Sequence, residues 1–95
     1  MIFESDEYKA EINLQNHGVS FAEAEEIFDD LNGIEFFDEK HSDEENRFQR
    51  VGLSNKRLLF VIYTIRETDE EEIIRLISAR KADNAEIEIY NKYNE

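Results

Sequence analysis

The nine residues from Ile73 to Lys81 read Ile-Ile-Arg-Leu-Ile-Ser-Ala-Arg-Lys, and they restrict the fold more than any other stretch of the chain. The run is rich in branched residues, so it reads as a strand. Side chains alternate along a strand. The alternation predicts one face carrying Ile74, Leu76, Ser78 and Arg80, and another carrying Ile73, Arg75, Ile77, Ala79 and Lys81. The apolar half needs cover on both sides, which places it inside a sheet. The basic end then projects from a rigid element, where a site can hold its geometry. The plainer reading is a core strand whose last residues reach solvent.

A second run, Arg57 to Arg66, is branched and aromatic almost throughout and reads as a central strand covered on both faces. Two shorter strands precede it, at Ile34–Asp38 and Arg47–Leu53, separated by a polar loop at His41–Asn46. Ser54-Asn55-Lys56 is a tight turn, and Thr68–Glu72 is an acidic hairpin loop without the spacing of a calcium loop. These four strands form an antiparallel meander. Ile2 and Phe3 suit a short N-terminal edge strand.

Helices flank the meander. Ser5 or Asp6 caps a first helix that runs to about Asn16, Gly18 stops it, and His17 sits in its last turn, where the helix dipole favours a cation. Ser20 to Glu23 has the spacing of a capping box and opens a second helix through Phe28. Asp83 to Glu86 is another capping box, opening a final helix with a ridge at Ala85, Ile89 and Tyr93. The expected fold is α+β, one domain over residues 1–95, with two N-terminal helices and one C-terminal helix packed on a four-stranded antiparallel sheet.

Charge narrows the function. The net charge is −13, yet residues 1–46 hold 15 acids and 2 bases, whereas residues 47–95 hold nine of each. Any anion site therefore belongs to the second half, and an acidic first half suits a basic partner segment. Cysteine is absent, which removes disulfides and thiolate metal sites. His17 and His41 lack the paired spacing of a metal centre. No apolar run is long enough to cross a bilayer and no basic-then-apolar leader opens the chain, so a cytoplasmic location is expected.

No strong catalytic motif is present. A looser set consists of Arg47 and Arg80 near strand ends, Glu45 two residues before Arg47, Lys81 beside Arg80, and Lys9 and His17 on the first helix. Arginine and lysine stabilise the charge that develops on a phosphate, and a carboxylate or histidine moves the proton of an RNA 2′-hydroxyl. The plainer reading of Glu45 and Arg47 is a surface ion pair, worth ~0–1 kcal/mol.

The chain as a whole resembles the BrnT family of toxins from type II toxin–antitoxin systems. The resemblance rests on Phe3-Glu4 with Asp6-Glu7 and Lys9; Asn13-Leu14; His17 to Phe21 with Glu23-Ala24; and Phe28-Asp29-Asp30. It continues through His41-Ser42 with Glu45, Arg47 and Phe48; Gly52-Leu53-Ser54; Val61, Tyr63 and Thr64; and Ile74 to Ala82. It implies a RelE-like fold and a ribonuclease that needs no metal or cofactor. It also implies a cognate antitoxin that neutralises the toxin and reaches promoter DNA on its behalf, with room for a homodimer within the complex and no membrane partner. Position by position, Lys9, His17, Glu45, Arg47, Ser78, Arg80 and Lys81 match recurrent polar positions of the family. Their chemistry then assigns catalysis to Arg80 and Arg47 on the phosphate charge and to Glu45 or His17 as the proton-transfer group, with Lys9, Lys81, Ser78 and His41 contacting RNA. Three departures stand out. Ser5 replaces a usual Trp, Gln15 and Asn16 stand near usual basic positions, and the last helix holds only Lys92 where the family is Arg-rich. Fewer phosphate contacts mean weaker, more salt-sensitive RNA binding, so a catalytically weakened acidic protein that docks a basic partner is the alternative.

Overall fold

A computed structural model of the chain describes residues 1–42 and 45–95. Asp43 and Glu44, inside the expected loop at His41–Asn46, lie outside the described residues. The order of elements is β1 (Ile2–Glu4), α1 (Glu7–His17), α2 (Phe21–Glu26), a 3-10 turn (Ile27–Asp29) and β2 (Ile34–Phe37). A second 3-10 turn (Glu39–His41) leads into β3 (Arg47–Leu53), β4 (Leu58–Glu67), β5 (Glu72–Lys81) and α3 (Asn84–Tyr93).

The helix ends follow the sequence. Asp6 accepts hydrogen bonds from the backbone N–H groups of Tyr8 and Lys9, at 2.8 and 3.2 Å. Gly18 leaves α1 in the left-handed region at φ 68°, where a side chain would be strained, and its N–H closes the helix on the Leu14 carbonyl. Asp83 and Glu86 form a complete capping box on α3. The box on α2 is only half formed: Ser20 accepts from the Glu23 N–H, but the Glu23 carboxylate turns away to Ser54 and Arg57.

The sheet corrects the four-stranded expectation. The meander β2–β3–β4–β5 is present and antiparallel, but β1 joins it alongside β5, running parallel, to give five strands in the order β1-β5-β4-β3-β2. Two helices separate β1 from the meander, so its direction is set by docking rather than by a hairpin. Phe3 secures it, edge-on to Phe28 at 5.1 Å between ring centres. As expected, the Arg57–Arg66 run supplies the central strand.

A bulge overturns the face assignment within β5. The register slips between Ile62 and Tyr63 of β4, so that Ile62 pairs with Ser78 and Tyr63 with Leu76. Ile77 is the extra residue. Beyond it the alternation is inverted: Ile74, Leu76 and Ala79 are buried together on the face under α1 and α2, while Arg75, Ser78 and Arg80 share the opposite face. Strict alternation would have put Arg75 with Ala79.

The core lies between the first face and α1–α2. Val19, Phe21, Ala24 and Ile27 meet Leu59, Val61, Tyr63, Ile74, Leu76 and Ala79. Asn13 is buried inside α1 and closes the edge of β5, donating to the carbonyls of Ala79 and Val19 and accepting from the Ala79 N–H. Its amide stands where a neighbouring strand would otherwise be needed. Gly52 lets the 3-10 turn approach the sheet, since a Cβ there would stand 2.9 Å from Ile27 Cβ and 3.1 Å from its carbonyl. Gly52→Ala is expected to destabilise the fold by about 1–3 kcal/mol. A lower urea midpoint at unchanged slope checks this; an unchanged midpoint contradicts it.

Candidate functional site

The face away from α1 and α2 is only partly covered. α3 lies over one end of it, where Val51 is fully buried. Tyr90 donates to Asp30 at 2.7 Å and Asn94 to the Asn32 carbonyl at 3.1 Å, fixing the helix. Burial and the Asp30 carboxylate push the Tyr90 hydroxyl up to about 12. The other end of the face is open.

Across that open end runs one row of paired positions. Arg47 on β3 faces Thr64 on β4, Thr64 faces Arg75 on β5, and Arg75 faces Glu4 on β1. Arg66 follows two residues after Thr64 on the same face. Glu4, Glu45, Thr64, Arg66 and Arg75 line a cleft of about 360 Å³. Arg47 and Arg75 flank Thr64 with Cα atoms roughly 10 Å apart, two strand spacings, which two arginine side chains can bridge onto a single phosphate. Glu4 accepts loosely from both arginines of the cleft, at 3.4–3.5 Å from Arg66 and 3.5 Å from Arg75. Among the described residues, the buried Nε of Arg47 has no hydrogen-bond partner.

The turn before β3 holds Arg47 in place. Ser42 Oγ accepts from the Arg47 N–H at 2.9 Å and donates to the Asp38 carbonyl, and Asp38 N–H donates to the Arg47 carbonyl at 2.8 Å. The buried Asp38 carboxylate faces His41 Nδ1 at 3.1 Å. Burial opposes its ionisation, but hydrogen bonding and the charge of His41 outweigh that and hold the carboxyl below its ordinary value. His41 is thus a brace of the loop, with its ring well exposed.

Of the residues singled out in the sequence, the structure gathers two groups and leaves the rest apart. Glu45 and Arg47 belong to the open row. Lys9, His17 and Ser78 meet in a separate groove of about 220 Å³ between α1 and the bulge of β5, together with Ile12, Asn13, Asn16 and Ile77. Ser78 shares the sheet face of Arg75, so it stands where this groove meets the open face. Arg80 is elsewhere. It pairs with Phe60, four residues along β4 from Thr64, which puts its Cα roughly 16 Å from that of Arg47. Its guanidinium lies 4.3 Å from the centre of the Phe60 ring and grips Glu86 at 2.8 and 2.9 Å. Lys81 is exposed at the end of β5.

Sequence reasoning missed Arg66 and Arg75. Pairing register would have exposed them: Arg66 follows from the β3–β4 pairing, whereas Arg75 comes to the face of Arg47 only when the bulge in β5 is counted, and nothing in the local sequence announces a bulge. On the core side of the sheet, a further polar cluster joins Tyr63 to Glu35 at 2.5 Å, with Arg50 over the Phe28 ring at 5.5 Å. Burial and Glu35 push the Tyr63 hydroxyl above the ordinary phenol range, so it keeps its proton and donates a hydrogen bond to Glu35.

Among the described residues, no group of three or more histidine, cysteine, aspartate or glutamate side chains is arranged to hold a metal ion. None of the helices is long and apolar enough to cross a membrane among those residues. The arrangement can bind an anion between arginines and place a carboxylate beside it.

Comparison with known proteins bears on what that anion is. A search of curated proteins found no match. The family model described as "Ribonuclease toxin, BrnT, of type II toxin-antitoxin system" matches residues 6–86, which span α1 to the first turn of α3 and include every residue of the open row except Glu4. With that match over most of its length, the chain belongs to the BrnT family of ribonuclease toxins of type II toxin–antitoxin systems.

Proposed function

We propose that this protein is the toxin of such a pair, cleaving cellular RNA without a metal and neutralised by a cognate antitoxin. The observation that carries the reading is the open row, in which Arg66 and Arg75 line a cleft with Glu45 and Arg47 stands across Thr64 from Arg75, in a chain of net charge −13. Glu45 accepts the proton of an RNA 2′-hydroxyl. The 2′-oxygen bonds to the adjacent phosphorus, the bond to the 5′-oxygen breaks, and that oxygen takes its proton from water. Arg47 and Arg75 donate to the non-bridging oxygens, where charge grows in the transition state. Lys9, His17 and Ser78 hold flanking RNA along the α1 groove, and Lys81 and His41 contact the backbone beyond it. A RelE-like ancestry, a cytoplasmic setting, growth arrest by the unneutralised toxin and an antitoxin that brings the complex to promoter DNA, with a homodimer within it, complete the reading.

The test is cleavage of a structured RNA pool by purified protein at low salt with EDTA present. Wild-type cleavage is expected, and its absence from a folded sample would remove the reading. Arg80→Ala separates two roles. Arg80 ties β5 to the capping box of α3, so its loss is expected to lower both activity and melting temperature. A variant with wild-type melting but no cleavage would place Arg80 on the phosphate instead.

A second reading has one observation in its favour: carboxylates of this chain already hold Arg66, Arg75 and Arg80. On that reading the protein is a catalytically weakened acidic module that docks a basic partner. It predicts partner binding that falls steeply with salt and no RNA turnover.

A further inference from the structure

The carboxylate of Glu4 lies between Arg66 and Arg75 and so shares Arg75 with the Arg47–Arg75 position proposed for the reacting phosphate. We infer that Glu4, at the end of β1, is an internal gate that competes with the phosphodiester backbone for the fork formed by Arg66 and Arg75. The inference rests on the ribonuclease reading only for the identity of the anion.

Three features support it. The first is geometry. Glu4 pairs with Arg75 at the end of the row that begins at Arg47, so its side chain projects onto the same face as the fork. One carboxylate reaches two guanidinium groups, one on β4 and one on β5, as one phosphate would. The second is looseness. The contacts are 3.4–3.5 Å long and both arginines are about half exposed or more, at 46% and 63%. Charge-assisted bonds of good geometry are about 2.7–2.9 Å, so the pair is far from its tightest arrangement and is cheap to exchange. The Arg57–Glu23 and Arg80–Glu86 pairs, at 2.8 Å, show what a fixed pair looks like in the same protein. The third is the carrier. β1 has three residues and hydrogen-bonds to β5 alone. Phe3 anchors the middle of the strand on Phe28, so the exchange needs only the Glu4 side chain at the strand's end to swing away, which leaves the meander undisturbed.

A backbone phosphodiester, like a carboxylate, spreads one negative charge over two oxygens, but it is free to approach both arginines at full hydrogen-bonding distance, whereas Glu4 reaches them only at 3.4–3.5 Å. Binding therefore exchanges a weak internal anion for a stronger external one. Glu4 lowers affinity for short or adventitious anions, and an RNA strand that also engages Arg47 and the α1 groove overcomes it.

The experiment is fluorescence anisotropy with a labelled 2′-O-methyl oligoribonucleotide, which lacks the reacting hydroxyl and cannot be cleaved. Glu4→Gln is expected to tighten binding about two- to fivefold at low salt, the value of one or two exposed ion pairs. Glu11→Gln, an exposed change on α1 that alters net charge equally, is the control and is expected to leave affinity unchanged. Arg75→Gln is expected to weaken binding, and combining it with Glu4→Gln should remove most of the gain, because the competitor matters only while the fork exists. Thermal melting of each variant reports whether β1 stays docked. Unchanged affinity in Glu4→Gln, or equal tightening by Glu11→Gln, would overturn the gate. Weaker binding by a Glu4→Gln protein with unaltered melting would overturn it too. Because the probe cannot be cut, tightening without any turnover of natural RNA would sustain the gate while refuting ribonuclease activity.

Discussion

Arg47→Ala is expected to lower RNA cleavage by at least about a hundredfold, the usual cost of removing a donor to developing negative charge, with little change in melting temperature. The reason lies in how Arg47 is held. Its backbone is fixed by Ser42 and Asp38, and these bonds survive truncation of the side chain. Among the described residues its buried Nε has no hydrogen-bond partner, so truncation removes an unmet donor instead of breaking a bond. The expected signature is a fall in kcat with a smaller change in KM, since the guanidinium acts most on the transition state. Arg47→Lys is expected to restore only part of the activity, because a point charge cannot make the forked contact. Single-turnover cleavage with EDTA present checks all of this. Wild-type rates in Arg47→Ala would remove the open row from the mechanism.

The largest stability effect is expected at Glu23. Its carboxylate is buried and takes two bonds from Arg57, at 2.8 and 3.0 Å, and one from Ser54 at 2.8 Å. Arg57 also donates to the Gly18 carbonyl at 2.9 Å. This cluster ties α2 and the end of α1 to the β3–β4 turn. Removing one partner of such a pair leaves the other charge poorly satisfied, and Glu23→Ala is expected to cost about 3 kcal/mol. For a domain of this size that is a fall of roughly 12–24 °C in melting temperature. The side-chain bond from Arg57 holds the Glu23 carboxyl below its ordinary value of 4.5, overcoming the opposing effect of burial. A carboxyl depressed in the folded state stabilises the fold above its unfolded pKa and loses that contribution as pH falls through the folded one. Wild-type stability should therefore decline below about pH 4.5, and Glu23→Gln should flatten that decline. Urea melts of both proteins between pH 3 and pH 7 read this directly; parallel pH curves would show that Glu23 is not the titrating group.

Family motifs take on different physical meanings in the light of these contacts. Glu23-Ala24 and Gly52-Leu53-Ser54 are among the pieces that carry the resemblance, and their contacts are structural: Glu23 and Ser54 form the staple, and Gly52 admits Ile27. Arg80 belongs with them through Glu86. Arg47, by contrast, is held by its backbone and leaves its side chain to the open face. A motif identifies positions under constraint, and only the contacts tell which constraint applies.

By itself, the sequence determined what local chemistry can determine. Asp6, Gly18, Ser20 and Asp83 set the helix ends, because capping depends on residues within one turn. The apolar runs set four strands and made Arg57–Arg66 the central one. The resemblance between Phe3 and Tyr90 led to the family. Tertiary structure decided what depends on residues far apart in the chain. The direction of β1 follows from docking of Phe3 against Phe28, which lies beyond two intervening helices. The bulge at Ile77 arises from pairing with β4 and reverses the faces beyond it, so that Arg75 joins Arg47 while Arg80 is taken up by α3. Side-chain alternation has a period of two, and a single extra residue inverts everything after it. That one residue separates the arginine site that the sequence suggests from the one that the fold assembles.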